Sequence, residues 1–316
     1  MSLQASLGGH VWTLRSYMHA PRRSPHTLSR KPLSISLDDP VTGSVHLEGW
    51  IDEHPSTDSV VLILPGLGSN ADVSYCVQAA EAAFALGCTA VRLGLRGFNR
   101  RGEDIPHAGL TADLHAAVGA PEIQRYEKIY VLGLSMSGNT SLLFATETRD
   151  PRVRAVATIC APLDMYASQV HIDQLRLWPY RRYLLSGLKD IFSRYAERRG
   201  MVRELAELPG IRTFYAWDRF AVVPRFGFLS ASHYHSAASA GPHLSKVRVP
   251  ALALQSKRDP MIPAEDVRDY LVAAAGKVET IWLDVGGHVC LPANLDLGLG
   301  GTLGVAGQAL GWMLRH

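Results

Sequence analysis

One stretch constrains the fold of this chain more than any other: an apolar strand runs directly into a serine, and a helix follows at once. Residues 128–134 supply the strand, and the sequence predicts a helix over 136–148. Ser135 stands at the junction, in the pattern of a nucleophile elbow, where a sharp turn exposes the hydroxyl above the sheet. Backbone N–H groups at the start of such a helix stabilise the negative charge that develops during acyl transfer.

The neighbours of Ser135 fit this turn only in part. Gly133 and Gly138 let the backbone bend and let a substrate approach, but Ser137 replaces the last glycine of the pattern G-x-S-x-G. We interpret this change as tolerated because serine is small. A buried serine at an ordinary strand-to-helix turn would give a similar pattern, so the catalytic interpretation depends on the rest of the chain.

Strands and helices alternate on both sides of this stretch. Continuous apolar runs such as 60–64 are typical of strands buried on both faces of a parallel sheet. The alternation predicts an α/β fold with a doubly wound, mostly parallel sheet and a site at the carboxyl ends of its strands. The predicted strands cover 33–37, 44–50, 60–64, 89–93, 128–134, 153–159, 251–255 and 279–285, and the predicted helices cover 72–86, 111–118, 136–148, 264–275 and 302–314.

Residues 162–243 interrupt the alternation and differ from it in composition. They are rich in aromatic side chains and carry a series of arginines from Arg176 to Arg203. We expect a helical insertion that lies over the carboxyl edge of the sheet as a lid and walls an apolar pocket. The arginines are most simply explained as a solvated helix face, and peripheral contact with an anionic membrane surface is the alternative.

Composition and charge narrow the class of protein. We expect a single domain over 1–316 with an N-terminal arm at 1–32, which lacks acidic residues as a transit peptide does but which we interpret as structural. The net charge of +3 is too small to indicate a nucleic-acid partner. Four scattered cysteines indicate a reducing compartment without disulfides. Because no apolar run is long enough to span a bilayer, we expect a cytoplasmic protein.

An activated serine needs a base, and the base needs an acid that orients it. In this architecture the three residues follow in the chain order Ser, Asp or Glu, His. Asp259 comes just after the predicted strand 251–255, and His288 comes just after the predicted strand 279–285. Two separate strand ends thus favour Ser135, Asp259 and His288 as a catalytic triad. A plain turn at Asp259 and an ordinary loop histidine are the alternatives.

Two other acids lie at or near the end of a predicted strand and are alternatives for the same role. Asp164 is the rival, although we expect it to shape the lid entrance instead. Asp284 is expected within its strand, too near His288 to orient it. His233 and His235 resemble a pair of metal ligands, but no third ligand is evident, so neither a metal nor a cofactor is expected.

The oxyanion of an acyl-transfer intermediate needs two backbone donors. One is expected to be the N–H of Met136, the residue after the nucleophile, and the other the N–H of Leu67 in the loop after 60–64. Gly66 and Gly68 would let that loop approach a substrate. A glycine-rich loop without a ligand is the simpler interpretation, and phosphate binding is weaker because no Gly-Lys-Ser/Thr follows.

Taken together, these residues resemble an α/β-hydrolase of the YheT-like branch, which is related to the ABHD-type lipid hydrolases. The resemblance implies a serine esterase or lipid acyl-hydrolase with a small lid and no cofactor, acting on a small-molecule ester or lipid. Acyl transfer on the same triad and a catalytically silent binding protein are the alternatives; the sequence carries no signal for an oligomeric state. The departures are Ser137 and Pro65, where the branch usually has histidine. The matching segments are His10–Leu14, Pro65–Ser69, Leu95–Gly97, Thr111–Leu114, Ala161–Asp164, a loose match over Phe214–Ser236, Arg258–Pro260 and Gly286–His288.

Overall fold

The structure is a computed structural model that describes residues 8–14 and 30–316. Most of the expected N-terminal arm, residues 1–32, lies outside these residues; its described parts are one short helix, α1 (8–14), and residues 30–32, which belong to the first strand. The remaining helices are α2 (Ser74–Ala85), α3 (Thr111–Gly119), α4 (Pro121–Gln124), α5 (Met136–Glu147), α6 (Met165–Ile172), α7 (Trp178–Arg198), α8 (Val202–Glu207), α9 (Phe214–Trp217), α10 (Val223–Phe226), α11 (Ala231–Ala238), α12 (Ala264–Ala273) and α13 (Val305–Met313).

The strands of the described chain form one sheet in the order β1-β2-β4-β3-β5-β6-β7-β8. The pairings of β1 with β2 and of β2 with β4 are antiparallel. The other five pairings, which join β4, β3, β5, β6, β7 and β8 in that order, are parallel. The predicted α/β-hydrolase fold with a doubly wound, mostly parallel sheet is confirmed. The strands are β1 (Arg30–Asp39), β2 (Gly43–Asp52), β3 (Ser59–Leu64), β4 (Thr89–Leu93), β5 (Lys128–Leu134), β6 (Val153–Ile159), β7 (Ala251–Ser256) and β8 (Val278–Leu283).

The two faces of the sheet feed two apolar clusters, because successive strand side chains point to opposite faces. In β3, Val60, Leu62 and Leu64 pack in the cluster that α3, α5 and α12 share. Val61 and Ile63 pack in the other cluster, with α2 and α13. Every residue of β3 is buried, so the centre of the sheet is dry on both sides.

The cap, residues 162–243, follows β6 and contains α6 to α11, with a π-helix at Asp218–Val222. Its aromatic and aliphatic side chains form a third cluster that also takes in Met136 at the start of α5. No helix among the described residues is both long and apolar enough to cross a bilayer. One expectation about the sheet is wrong: β8 ends at Leu283, so Asp284 is outside the strand, where its exposed carboxylate pairs with Lys257 at 2.9 Å.

Candidate active site

Ser135 lies in a strained turn between β5 and α5. Its backbone has φ 55° and ψ −126°, a conformation that non-glycine residues rarely adopt and that persists only where the surroundings enforce it. The flanking glycines permit the turn: a Cβ on Gly133 would lie 2.4 Å from Ser141 Oγ, and one on Gly138 would lie 2.7 Å from Ala161 Cβ. The sequence therefore presents the Ser135 hydroxyl at the carboxyl edge of the sheet.

A continuous hydrogen-bond chain links this hydroxyl to a histidine and an acid. His288 Nε2 lies 2.8 Å from Ser135 Oγ, and His288 Nδ1 lies 2.7 Å from Asp259 Oδ2. Both His288 and Asp259 are buried. The second carboxylate oxygen accepts the backbone N–H groups of Met261 and Ile262, at 2.8 and 3.0 Å. The acid is thus fixed, and it orients the imidazole so that Nε2 accepts the serine proton.

The loops that carry these side chains leave neighbouring parallel strands. Asp259 follows β7, and His288 follows β8, so both reach the edge at which β5 presents Ser135. The rival acid Asp164 does not join them. It caps α6 by accepting the N–H of Ala167 at 2.9 Å, and its other oxygen accepts the Tyr270 hydroxyl at 2.8 Å.

The loop after β3 offers one free amide near the nucleophile. Pro65 has no N–H, and the N–H of Gly66 donates to the Tyr75 hydroxyl at 3.3 Å. The amides of Leu67 and Met136 donate to no other described residue, and both residues line the cavity beside Ser135. These are the two amides expected as oxyanion donors.

The two departures from the family pattern touch each other. Ser137 is fully buried, and its hydroxyl donates to the carbonyl oxygen of Pro65 at 2.5 Å. Ser137 therefore links the first turn of α5 to the loop that carries Leu67 by a hydrogen bond. Each residue looks like an isolated change in the sequence, and only the fold brings them together.

Sequence reasoning missed one contact of His288, which α1 supplies. The backbone N–H of His288 donates to the buried hydroxyl oxygen of Thr13 at 2.8 Å, and that hydroxyl donates to Gly9 O at 2.8 Å. Glycines allow the approach, because a Cβ on Gly287 would lie 2.3 Å from Gly9 O. The His-x-x-Thr resemblance was the signal. His10, the first residue of that motif, bonds to the Tyr180 hydroxyl of α7 at 2.8 Å.

A cavity that is partly open to solvent lies between Ser135 and the cap. Its wall is mostly aliphatic and aromatic, with contributions from Leu188 and Trp217 of the cap. His107 also lines it, and burial, with the Arg96 and Arg225 charges, lowers the pKa of His107 to about 3. The imidazole of His107 is therefore neutral near pH 7.

Among the residues that the structure describes, one group could offer three metal ligands: Cys160, Asp259 and His288, with ligand atoms within 4.8 Å of one another. Burial raises the pKa of the Cys160 thiol well above its usual range, whereas metals bind the thiolate. Asp259 and His288 already bond to each other, so this donor set suits a proton relay better than a metal. His233 and His235 do not converge on a metal, since His235 Nε2 bonds to Asp218 and His233 Nδ1 accepts the N–H of Leu229.

A serine, a histidine and a carboxylate at the carboxyl edge of a doubly wound sheet are the arrangement of the α/β-hydrolase class of proteins. The model of the alpha/beta hydrolase family matches residues 60–295, and the chain belongs to that family. The YheT protein of Escherichia coli (strain K12) is 28% identical over 252 residues, which are 77% of this chain and 71% of that protein. This similarity supports the YheT-like branch.

Two further proteins show how wide the family is. The monoacylglycerol lipase of Saccharomyces cerevisiae (strain ATCC 204508 / S288c) is 24% identical over 173 residues, 51% of this chain and 38% of the lipase. The solved structure of the Pyrococcus furiosus esterase Pf2001 superposes with a TM-score of 0.54 at 14% identity, covering 86% of this chain and 90% of the esterase. That likeness shows the shared fold.

Proposed function

We propose that this α/β-hydrolase cleaves carboxylic esters with Ser135 as its nucleophile. The observation that supports the proposal is the unbroken chain from Ser135 Oγ through His288 to Asp259, with 2.8 Å and 2.7 Å between the bonded atoms. Each member has the chemistry that its position requires: a hydroxyl, an imidazole and a carboxylate fixed by two amides.

In the first half-reaction, Ser135 Oγ attacks the acyl carbon while His288 Nε2 takes its proton. Asp259 stabilises the imidazolium that forms, and the amides of Leu67 and Met136 bind the oxyanion. His288 then gives the proton to the departing alkoxide, which leaves an acyl group on Ser135. In the second half-reaction, His288 takes a proton from water while the water oxygen attacks the acyl carbon. His288 then gives this proton to Ser135 Oγ as its bond to the acyl carbon breaks, and the acid product leaves.

The cavity supports an ester or lipid with an apolar portion as the substrate. Its wall beside Ser135 includes Leu67, Met136 and Met261, and the cap closes it with Leu188 and Trp217. Burying an alkyl chain against such a wall is favourable by about 0.8 kcal/mol per methylene group. We assign the cap the role of a lid over this pocket. The lipase and esterase names of related proteins agree with this substrate class.

A series of p-nitrophenyl esters from acetate to palmitate, measured on wild type and on Ser135→Ala, tests the proposal. We expect hydrolysis by wild type and a loss of about 10⁴-fold or more in kcat for the variant. A fluorophosphonate probe should label the peptide that contains Ser135, and mass spectrometry of that peptide distinguishes Ser135 from its neighbour Ser137. Equal hydrolysis by both proteins would remove the serine mechanism. Folded wild type that neither hydrolyses esters nor takes the label would instead be a binding protein.

A further inference from the structure

A carboxyl group interrupts the apolar wall of the cavity. Asp218 lies in the cap at the start of the π-helix, lines the same cavity as Ser135, and is 5% exposed. Its Oδ2 bonds to His235 Nε2 at 2.8 Å. No described residue donates a hydrogen bond to its other oxygen, Oδ1. One oxygen of a nearly buried carboxylate that lines the cavity is therefore without a donor among the described residues.

The surroundings of His235 determine which member of the Asp218–His235 pair donates the hydrogen bond. His235 Nδ1 is buried and has no hydrogen-bond partner among the described residues. A proton on Nδ1 would be a buried, unpaired donor, so the N–H that the geometry favours is the one on Nε2, which donates to Asp218. The pair therefore presents a hydrogen-bond acceptor, Asp218 Oδ1, on the cavity wall.

Such an acceptor is costly without a donor. Transfer of a carboxylate from water is strongly unfavourable unless hydrogen bonds replace its hydration, and burial raises the pKa of Asp218 accordingly. A purely structural tie between the π-helix and α11 would need only the bond to His235. The location in a π-helix agrees with a specific role, since these turns occur often at functional sites.

We propose that Asp218 is a substrate-recognition residue, and that the preferred ester carries a hydrogen-bond donor, a hydroxyl or an ammonium, that reaches Oδ1 within the cavity. This inference rests on the proposed esterase function, because the same cavity opens on Ser135. An ester with only alkyl groups fills the apolar wall but leaves Asp218 unpaired. An ester with a carboxylate or a carbonyl at that place sets one acceptor against another.

The test uses matched p-nitrophenyl esters from hexanoate to decanoate whose chains end in a methyl, a hydroxyl, an ammonium or a keto group. A second arm compares esters of diols with esters of simple alkanols, which places the donor on the alcohol side. For wild type we expect kcat/KM to be about tenfold higher for the best donor-bearing ester than for its alkyl counterpart, as a hydrogen bond to a charged group provides. The hydroxyl and ammonium arms identify which donor is preferred.

The variant Asp218→Asn should abolish this preference. Asparagine can still accept the proton of His235 Nε2, but it then directs an amide N–H₂ to the cavity. The ratio of hydroxyl to alkyl ester should fall to about one, and the keto ester should gain. Asp269→Asn, an exposed carboxylate on α12, is the matched control and should keep the wild-type ratios.

Two results would overturn the inference: a wild type that hydrolyses donor-bearing esters no better than alkyl esters, or an Asp218→Asn protein with unchanged ratios. The wild-type ratios decide the matter even where the variant does not fold. Failure of the esterase proposal gives a different result, since wild type would then hydrolyse none of the esters.

Discussion

The sheet and the cap are held in place by different interactions. The sheet centre is mostly aliphatic: every residue of β3 and β4 is buried, and the sheet packs apolar helices on both faces. Its buried ion pair, Arg92 of β4 with Asp52 of β2, joins two strands of the sheet to each other. The cap has an apolar cluster of its own, but the nearly buried side chain of an arginine also joins it to the rest of the chain. Arg225 of α10 bonds to Asp104 at 2.6 Å and to Asp39, at the end of β1, at 2.9 Å.

Because the interactions differ, a substitution should unfold the two regions in different ways. Hydrophobic burial is non-directional and spread over many side chains, so the loss of one weakens the whole unit. The tie at Arg225 depends on a few charged groups that have been removed from water. Arg96 joins the same cluster through Asp39, Asp104 and Asp113. Damage to this cluster should therefore loosen the cap while the sheet stays intact.

The largest effect is expected for Arg225→Met. The substitution keeps the volume of the side-chain stem but leaves Asp104 and Asp39 with fewer partners in a buried place, which costs about 3–5 kcal/mol. Hydrogen exchange should show lost protection in the cap well before the strands exchange. Arg203→Met, on the exposed face of α8, is the control and should change neither region. Cap protection equal to that of wild type would show that the apolar cluster alone holds the cap.

Leu62→Ala gives the matching test in the sheet. Leu62 is fully buried in β3, and the cavity left by the truncation should destabilise the protein by about 2–5 kcal/mol. In contrast to Arg225→Met, we expect strands and cap to lose hydrogen-exchange protection together, since the sheet is the base of both. Protection lost from the cap alone would contradict the comparison.

The sheet could be predicted from the sequence more fully than the cap. Strand patterns are local, so the bounds of β4, β5 and β6 agree with the expected ones at every residue. The order of Ser135, Asp259 and His288 along the chain was enough to expect them at one edge. The pairings that position them are long-range and leave no periodic pattern. The His-x-x-Thr motif singles out Thr13, but no local pattern indicates that its hydroxyl accepts the backbone N–H of His288.

The structure of the cap was the hardest part to predict from the sequence. Apart from the 21-residue α7, its helices are short, and their bounds depend on groups far away in the chain, such as the hydroxyl of Tyr270 that bonds to the α6 N-cap residue Asp164. The sequence indicated a helical insertion but no π-helix, and it assigned His235 no role once a metal was not expected there; in the fold His235 pairs with Asp218. Asp284 was expected in β8 because the apolar run continues to Val285, but pairing with β7 ends at Leu283.

His107 lies where the two regions meet, and it should make their contact sensitive to acid. Its ring packs 4.3 Å from that of Phe226 in the cap, and its folded-state pKa is about 3, below the ordinary value of 6.5. At a pH between these two pKa values, the unfolded chain binds a proton at His107 that the folded chain does not bind. The free energy of unfolding therefore falls as the pH drops through this range. The slope is about 1.4 kcal/mol per pH unit.

Substitution of His107 should remove that part of the acid sensitivity. Asn at this position can still accept the N–H of Gly109, which His107 Nδ1 accepts at 3.1 Å. Urea unfolding of wild type and His107→Asn from pH 7 to pH 5 should give two lines that converge as the pH falls. Parallel lines would mean that the imidazole is protonated equally in both states.

The smallest effect is expected where α1 meets the active site, and it tests whether a polar contact can act on catalysis alone. Thr13→Val keeps the shape of the side chain but leaves the N–H of His288 without its acceptor. A buried donor without a partner raises the free energy of the folded loop by about 1–3 kcal/mol. The loop is already strained, since the next residue, Val289, has φ 49°. We expect kcat to fall about tenfold through misplacement of the imidazole, with KM unchanged because α1 does not line the cavity. Thr13→Ser retains the hydroxyl and should retain kcat. A rise in KM, or an equal loss in both variants, would show that α1 supports the fold and not the position of His288.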